Sequence, residues 1–523
     1  MKKIQNNIQN IINQLNTSRF LPIILCFFIY IFCLALYVNT TSYGLSGNDD
    51  DTFINLNFEK YSVKDVFTQN ILFNNDIKTY YRPLLALSFM IDNSISASPS
   101  IMHSTNIILY AVCAVLVFIF LKRYFFDTTV SFLAAAFFAA HPVNIFTVAW
   151  IPGRNDSLLC VFFLLSLIFF LEYLKNDKTV FLILNFIFFA AAVFIKENAV
   201  IIMPLCLMYW FIYKKRINKE LFIITLIYSV IVSVFLVLYK NFANLWTTPK
   251  YIILLLDNIK VLFDYYSGVY LFNIHFSKYI SSKFFVLGTV SFIISIFFTI
   301  FSGMSIKEKI LYFFFPLFML ISTLFVGQIF FQGNRLYVPM IFMLIPFCRF
   351  LTNIFNKKIV YAILLFLILL CINMTFQKQK VFENELTYFG AIDREKPNYE
   401  IVMANLYSYN LLKYGHIEEA AVKAKTIAEI THYKNPYNLY VLSILSMYEE
   451  NYLQAIEYLE HITNFDNDVY TKLAVCYDKI GNEREANYFY NVVLKLNEYN
   501  VEKTNEIIER EKQCFTKKSK ISY

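Results

Sequence analysis

Five consecutive residues, Gly47-Asn48-Asp49-Asp50-Asp51, place three carboxylates just beyond the first long apolar stretch of the chain. Further polar stations stand at the ends of later apolar runs. They are Tyr81-Arg82-Pro83, His103 with Asn106, His141-Pro142, Gly153-Arg154-Asn155-Asp156, Lys196-Glu197 and Asn334-Arg335-Leu336-Tyr337. A carboxylate at a water–membrane boundary can take the proton of a hydroxyl nucleophile. Arginine forks hold phosphate through paired hydrogen bonds and stabilise charge on a departing phosphate. Paired carboxylates also suit glycoside chemistry or the ligation of Mg²⁺ or Mn²⁺. Taken singly, the acidic run reads as a solvated turn and each cation as a side chain snorkelling to lipid headgroups. Six stations at one set of helix ends point to function, because ionisable groups at membrane depth are costly. No P-loop, nucleophile elbow, zincin motif or dinucleotide fingerprint is present.

The elements that must position these residues are membrane helices. Of 523 residues, 58% are hydrophobic and 16% charged, and the mean hydropathy is +0.51, against about 25% charged in a typical soluble protein. The 57 Phe and 38 Tyr exclude disorder, and 11 Gly with 12 Pro exclude collagen-like or low-complexity classes. Seven of the nine cysteines lie in apolar runs and no CxxC occurs, so neither a zinc site nor a disulfide framework is indicated. Apolar residues dominate up to residue 376. Residues 1–376 hold 28 Lys+Arg and 16 Asp+Glu; residues 377–523 hold 18 and 22. The basic surplus thus belongs to the membrane part, and no nucleic-acid partner is implied.

A spanning helix needs about 20 mostly apolar residues. The pattern predicts about eleven spans, near 20–40, 103–121, 130–149, 157–174, 179–195, 198–213, 221–239, 284–302, 310–330, 336–351 and 359–376. The first reads as a signal anchor. With a cytosolic N-terminus, the inner segments carry 16 bases and five acids, whereas the outer ones carry 12 and 11; basic loops stay inside. The outer loops 41–102 and 240–283 are long. Each contains an amphipathic run, Val63-Val66-Phe67-Ile71 and Ile252-Leu255-Leu256-Ile259-Leu262-Phe263, suited to lying in the membrane interface. An odd span count puts the C-terminal part outside.

That part reads as a helical solenoid. Small residues recur at Ala420, Ala455 and Ala486 after turns at Gly415, Asn451 and Gly481, a spacing that brackets the tetratricopeptide period of about 34 residues. The expectation is a linker helix over 377–400, three degenerate repeats over 401–500 that could hold a peptide, and a polar basic tail over 501–523.

The segment FAAHPVNIFTVAWIPGRNDSLL, starting at Phe138, is similar to the "HPV…E.VAW..GR.D" stretch of the transmembrane-and-TPR O-mannosyltransferase-like family, membrane glycosyltransferases of GT-C type. The similarity extends to Asp49-Asp50 with Ile54 and Asn57, to YRPLLALSF at 81–89, to His103 and Asn106, to Lys196-Glu197 with Pro204, and to Arg335-Leu336-Tyr337-Val338-Pro339. The resemblance implies an all-α GT-C-like bundle, a polyprenyl-phosphate sugar donor in the membrane and a hydroxyl acceptor on the outer face. It makes Asp49 or Asp50 the catalytic base. It also points to Arg82, Arg154, Arg335 and Lys196 for the donor phosphate, with His103, His141, Asp156, Glu197 and Tyr337 in support. The family's acid after HPV falls at Phe146 here. The rival readings are a lipid or solute transporter with an outer repeat adaptor, and a scaffold that has lost catalysis. Sidedness is testable first: reporter fusions at Lys60 and Tyr470 should both read as extracytoplasmic, and cytosolic activity at Lys60 would overturn the orientation.

Overall fold

The computed structural model describes residues 20–47, 50–54, 58–69, 71–72, 80–242, 251–274, 276, 282–321, 333–395, 400–462 and 466–516. All regular elements among them are helical, as the composition requires. The chain divides into two compact units, one ending at Asn384 and the other beginning at Glu385.

In the first unit, α1 (Leu21–Tyr37) is followed by an outer segment bearing α2 (Asp50–Ile54), α3 (Val63–Thr68) and α4 (Pro83–Ile95). Then come α5 (Pro99–Tyr124), α6 (Thr128–Ala140), the short α7 (Ile145–Val148), α8 (Arg154–Asn176), α9 (Thr179–Ile195), α10 (Ile202–Tyr213) and α11 (Lys219–Phe242). The amphipathic α12 (Tyr251–Tyr270) precedes α13 (Ser282–Phe301), α14 (Ile306–Ile321), α15 (Tyr337–Ile354) and α16 (Lys357–Lys378). Each expected span meets a helix. Among the described residues, however, only seven are long and apolar enough to cross a membrane, or eight if the bent pair α6–α7 is one span. α9, α10 and α14 have 17, 12 and 16 residues, too short to reach across alone, and the expected stretch 322–330 lies outside the described residues. α12 is longer than its amphipathic run. It buries Val261, Tyr265, Tyr266 and Val269 and packs along α13, where Gly288 lets the backbones approach.

α5, α8 and α15 are largely enclosed by protein, whereas α1, α11 and α13 turn most of their apolar surface outward. Phe27, Phe28, Phe222, Val237 and Ile293 are exposed as lipid-facing side chains must be. Contact between membrane helices then relies on polar clasps and close packing. Asn185 of α9 donates to Ser166 of α8 (2.9 Å to its carbonyl, 2.8 Å to Oγ) and accepts from Tyr228 of α11 at 2.6 Å.

The chain bends by 49° between α6 and α7, because Pro142 has no N–H to continue the ladder. The three carbonyls left at the break all accept side-chain donors. Asn144 reaches Phe138 O at 2.7 Å, Tyr110 reaches Ala139 O at 2.7 Å, and Thr375 reaches Ala140 O at 2.7 Å. A break in the bundle interior is tolerated only with such partners.

In the second unit, α17 (Glu385–Glu395) is followed by three helix pairs. These are α18 (Ile401–Lys413) with α19 (Ile417–Thr431), α20 (Pro436–Tyr448) with α21 (Tyr452–Glu460), and α22 (Asn467–Lys479) with α23 (Glu483–Leu496). Gly415, Glu450 and Gly481 turn the pairs at positive φ, one residue before the expected place in the middle pair. Ala420 and Ala455 are fully buried at the pair crossings. Residues 501–516 are not the polar tail expected. They form α24 (Val501–Thr516), which packs on α22 through Lys472–Glu511 (2.9 Å) and Lys512–Asp478 (2.8 Å) and closes the end of the stack.

Candidate functional site

Several expected stations meet at one end of the membrane unit. α8 starts at Arg154, so Asn155 and Asp156 occupy its first turn, where the helix dipole favours an acid. Lys196 follows the last residue of α9, and Asn334 and Arg335 lie in the turn Gly333–Leu336 before α15. Lys196 Nζ lies 2.6 Å from Asp156 Oδ1 and 3.0 Å from Asn155 Oδ1. Asn334 Nδ2 donates to Asp156 Oδ2 at 2.8 Å. Asp156 thus ties together three segments far apart in sequence. Beside it, Arg82 grips Glu197 in a two-bond fork (Nε to Oε2 3.1 Å, Nη2 to Oε1 2.6 Å) and stacks over the Tyr80 ring at 4.2 Å. Arg82 and Asp156 also feel each other's charge, as do Lys196, Arg82 and Glu197. The Glu197 carboxylate is 30% exposed, against 9% for Arg82 and Lys196 and 7% for Asp156. The network therefore opens at Glu197. Arg335, in the same turn as Asn334, is partly exposed.

Arg154 does something else. Its side chain is wholly buried, and its Nη2 meets Asp92 Oδ2 at 2.5 Å. Nε donates to Asn106 Oδ1 (2.8 Å), Nη1 to Ser88 O (3.2 Å) and Nη2 also to Met102 O (2.9 Å), with the guanidinium 4.1 Å above the Phe89 ring. A guanidinium so enclosed presents no face to a headgroup. The expectation that it binds donor phosphate is corrected: it joins α4, α5 and α8. Asp92, which also accepts from Thr105 at 2.7 Å, went unrecognised in the sequence. Its signal was a lone acid following the apolar run Leu84–Ile91.

The supporting residues have structural partners. Asn106 Nδ2 donates to Val148 O, Trp150 O and Ile151 O at 3.1–3.3 Å, holding the turn that launches α8. His141 accepts from Val143 N at 3.2 Å and faces Val269 O at 3.1 Å. His103 faces Gly44 O at 3.4 Å and meets Tyr43 edge-on. Tyr337 is buried between Tyr110 and Phe138, below the bend.

Of the acidic run, Asp49 lies outside the described residues. Asp50 begins α2 and is buried. Its Oδ2 accepts from both Ser46 N and Ser46 Oγ at 2.6 Å. α2 packs on the turn Ile151–Gly153, immediately ahead of Arg154-Asn155-Asp156, which links the acidic run to the charge network. Phe146 stacks on Phe276 at 5.1 Å and meets Phe382 at 5.6 Å. A Cβ on Gly333 would come within 2.3 Å of its ring, and one on Gly153 within 2.3 Å of its carbonyl oxygen. Among the described residues no group of three His, Cys, Asp or Glu could hold a metal.

The buried pair yields a direct test. Asp92→Asn leaves the Arg154 guanidinium without a counter-charge in a dry site and should cost about 3–5 kcal/mol. Glu197→Gln, at the open end of the network, should cost about 1 kcal/mol or less. Thermal unfolding in detergent would show it, and equal midpoints for the two variants would contradict the assignment.

The dolichyl-phosphate-mannose-protein mannosyltransferase family matches residues 84–239, a stretch that includes Asp92, Arg154, Asp156, Lys196 and Glu197. The chain is 33% identical over 144 residues to the protein O-mannosyl-transferase TMTC1 of Mus musculus, covering 25% of this chain and 15% of the relative. It is 34% identical over 154 residues to TMTC2 of the same species, covering 28% and 18%. To Tmtc2 of Drosophila melanogaster it is 28% identical over 199 residues, covering 35% and 21%. The chain thus matches about a fifth or less of the length of these relatives. Residues 84–239, which hold the buried Arg154–Asp92 pair and three members of the charge network, are thus similar to the dolichyl-phosphate-mannose-protein mannosyltransferase family.

Proposed function

We propose that the protein is a membrane glycosyltransferase that moves a sugar, mannose by resemblance, from a polyprenyl phosphate to a protein hydroxyl on the extracytoplasmic face. The observation that carries this reading is the network Arg82–Glu197, Lys196–Asp156–Asn334, whose Asp156, Lys196 and Glu197 fall inside the family-matched segment. It gathers cations at the ends of membrane helices, where a lipid-linked phosphate presents its headgroup.

In the proposed reaction the acceptor oxygen attacks the anomeric carbon of the sugar. Asp49 or Asp50 takes the hydroxyl proton. The bond from the anomeric carbon to the phosphate oxygen breaks, and its electron pair leaves with the phosphate. Arg335 and the open Arg82–Glu197 pair are the groups within reach of that charge, and Lys196 strengthens the local positive field. Cations fixed in advance around a developing anion lower the barrier most. The bonds from Ser46 fix the Asp50 carboxylate at the start of α2. The bend at His141 is braced by side-chain hydrogen bonds on the carbonyls of Phe138, Ala139 and Ala140. The helix pairs of the second unit are proposed to capture a polypeptide acceptor and raise its local concentration.

The test is sugar transfer by purified protein from radiolabelled polyprenyl-phosphate donors, with and without divalent metal or chelator. Asp49→Asn or Asp50→Asn should lower the rate by about 10²–10⁴-fold, the usual contribution of a general base. Full activity in both variants would overturn the base assignment. Absence of transfer in wild type would favour the scaffold reading.

A further inference from the structure

The opposite end of the membrane unit carries a cationic cavity that the proposed transfer reaction does not use. It lies between the turn joining α5 to α6 and the turn joining α15 to α16, with a volume of about 190 Å³. Phe125, Phe126 and Phe355 wall it, and Arg349, Lys357 and Asp127 supply its charge. Lys357 Nζ pairs with Asp127 Oδ2 at 3.1 Å, and Asp127 Oδ1 caps α6 by accepting from Val130 N at 3.0 Å. The carboxylate is therefore already committed. Arg349 is not. Its guanidinium lies 5.3 Å from the Phe126 ring centre, its Nε is buried without a hydrogen-bond partner, and no described carboxylate pairs with it. Its backbone carbonyl accepts from Thr352 at 3.1 Å, which leaves the side chain unaffected.

With Asp127 neutralised by Lys357, one positive charge is left over beside aromatic walls. An anion with a single negative charge and oxygens able to accept from Nε would complete it. The surroundings indicate where that anion comes from. Ile354, Phe355 and Ile359 are exposed apolar side chains at the rim, a path for acyl chains. Lys357 and Lys358 begin a membrane helix at the end to which the charge bias assigns the cytosolic leaflet. Basic pockets between helices on that side suit anionic headgroups. We propose that this cavity binds the phosphodiester of an anionic phospholipid, with Arg349 on the phosphate and Lys357 at the edge.

The experiment is native mass spectrometry of the full chain purified in detergent, titrated separately with phosphatidylglycerol, phosphatidylcholine and inorganic phosphate. Phosphatidylglycerol should be retained about tenfold more tightly than phosphatidylcholine. Arg349→Gln should weaken it by about tenfold, as loss of one charge-assisted contact does. Arg349 has no described carboxylate partner to strand and only the Phe126 ring to lose, so the thermal midpoint of this variant should change little. The exposed Lys357→Gln, which leaves Arg349 in place, should weaken retention in the same direction. Equal retention of phosphatidylglycerol by wild type and Arg349→Gln would overturn the site. Retention of phosphatidylcholine as tightly as phosphatidylglycerol would overturn the charge argument. Displacement of bound phosphatidylglycerol by equimolar inorganic phosphate would overturn the lipid source.

Discussion

A guanidinium with no access to solvent must be satisfied entirely by protein, and Arg154 is satisfied by Asp92, Asn106, Ser88 and Met102 at once. The rest of the charged end depends on that requirement. The arginine is the first residue of α8 and its acid lies on α4, while Asn106 of α5 also binds three carbonyls of the turn that launches α8. The start of α8 is thereby locked, and with it the positions of Asn155 and Asp156. Asp156 in turn receives Lys196 and Asn334. Removing one partner of such a pair costs far more than the pair contributes over an apolar replacement. Its value here lies in specifying one arrangement of helices whose outer surfaces are uniformly apolar.

The same logic separates the two kinds of polar residue in the membrane unit. Arg154, Asn106, Asn144, Asn185 and Thr375 are buried and hydrogen-bonded, and they hold helices or breaks in place. Arg82, Glu197 and Arg335 sit at helix ends with part of their surface open. Of these two kinds, the second offers the open surface that a lipid headgroup needs. The Phe146 cluster belongs to neither. It is an aromatic packing site, and the glycines at 153 and 333 are what let the ring and its backbone fit.

Much of this organisation is legible in the chain itself. Hydropathy marks the described membrane helices, and Arg82 with Glu197, and Asp156 with Lys196 and Asn334, are brought together from separate segments. Pattern alone could not distinguish Arg154 from its neighbours, because burial of an arginine depends on partners that come from other helices. α4 was missed as an element because thirteen residues are too few for a span, and Asp92 went unrecognised with it. The charged residues that make 501–516 look like a polar tail also fasten it as α24, with Glu511 reaching the buried Lys472 of α22. The helix pairs of the second unit were readable because small residues and turns repeat, and the one-residue shift at Glu450 reflects an αL turn made without glycine.

We propose that the charged end built around Asp156 and Glu197 receives the lipid-linked phosphate. The most direct measurement is photo-crosslinking of the full-length protein in membranes with a polyprenyl-phosphate sugar bearing a diazirine next to the phosphate, followed by peptide mapping. Label is expected on peptides containing Arg82, Lys196–Glu197 or Arg335, and it should be lost when unlabelled donor is added. Competable label confined to the opposite helix ends, around residues 123–127 and 349–357, would contradict it.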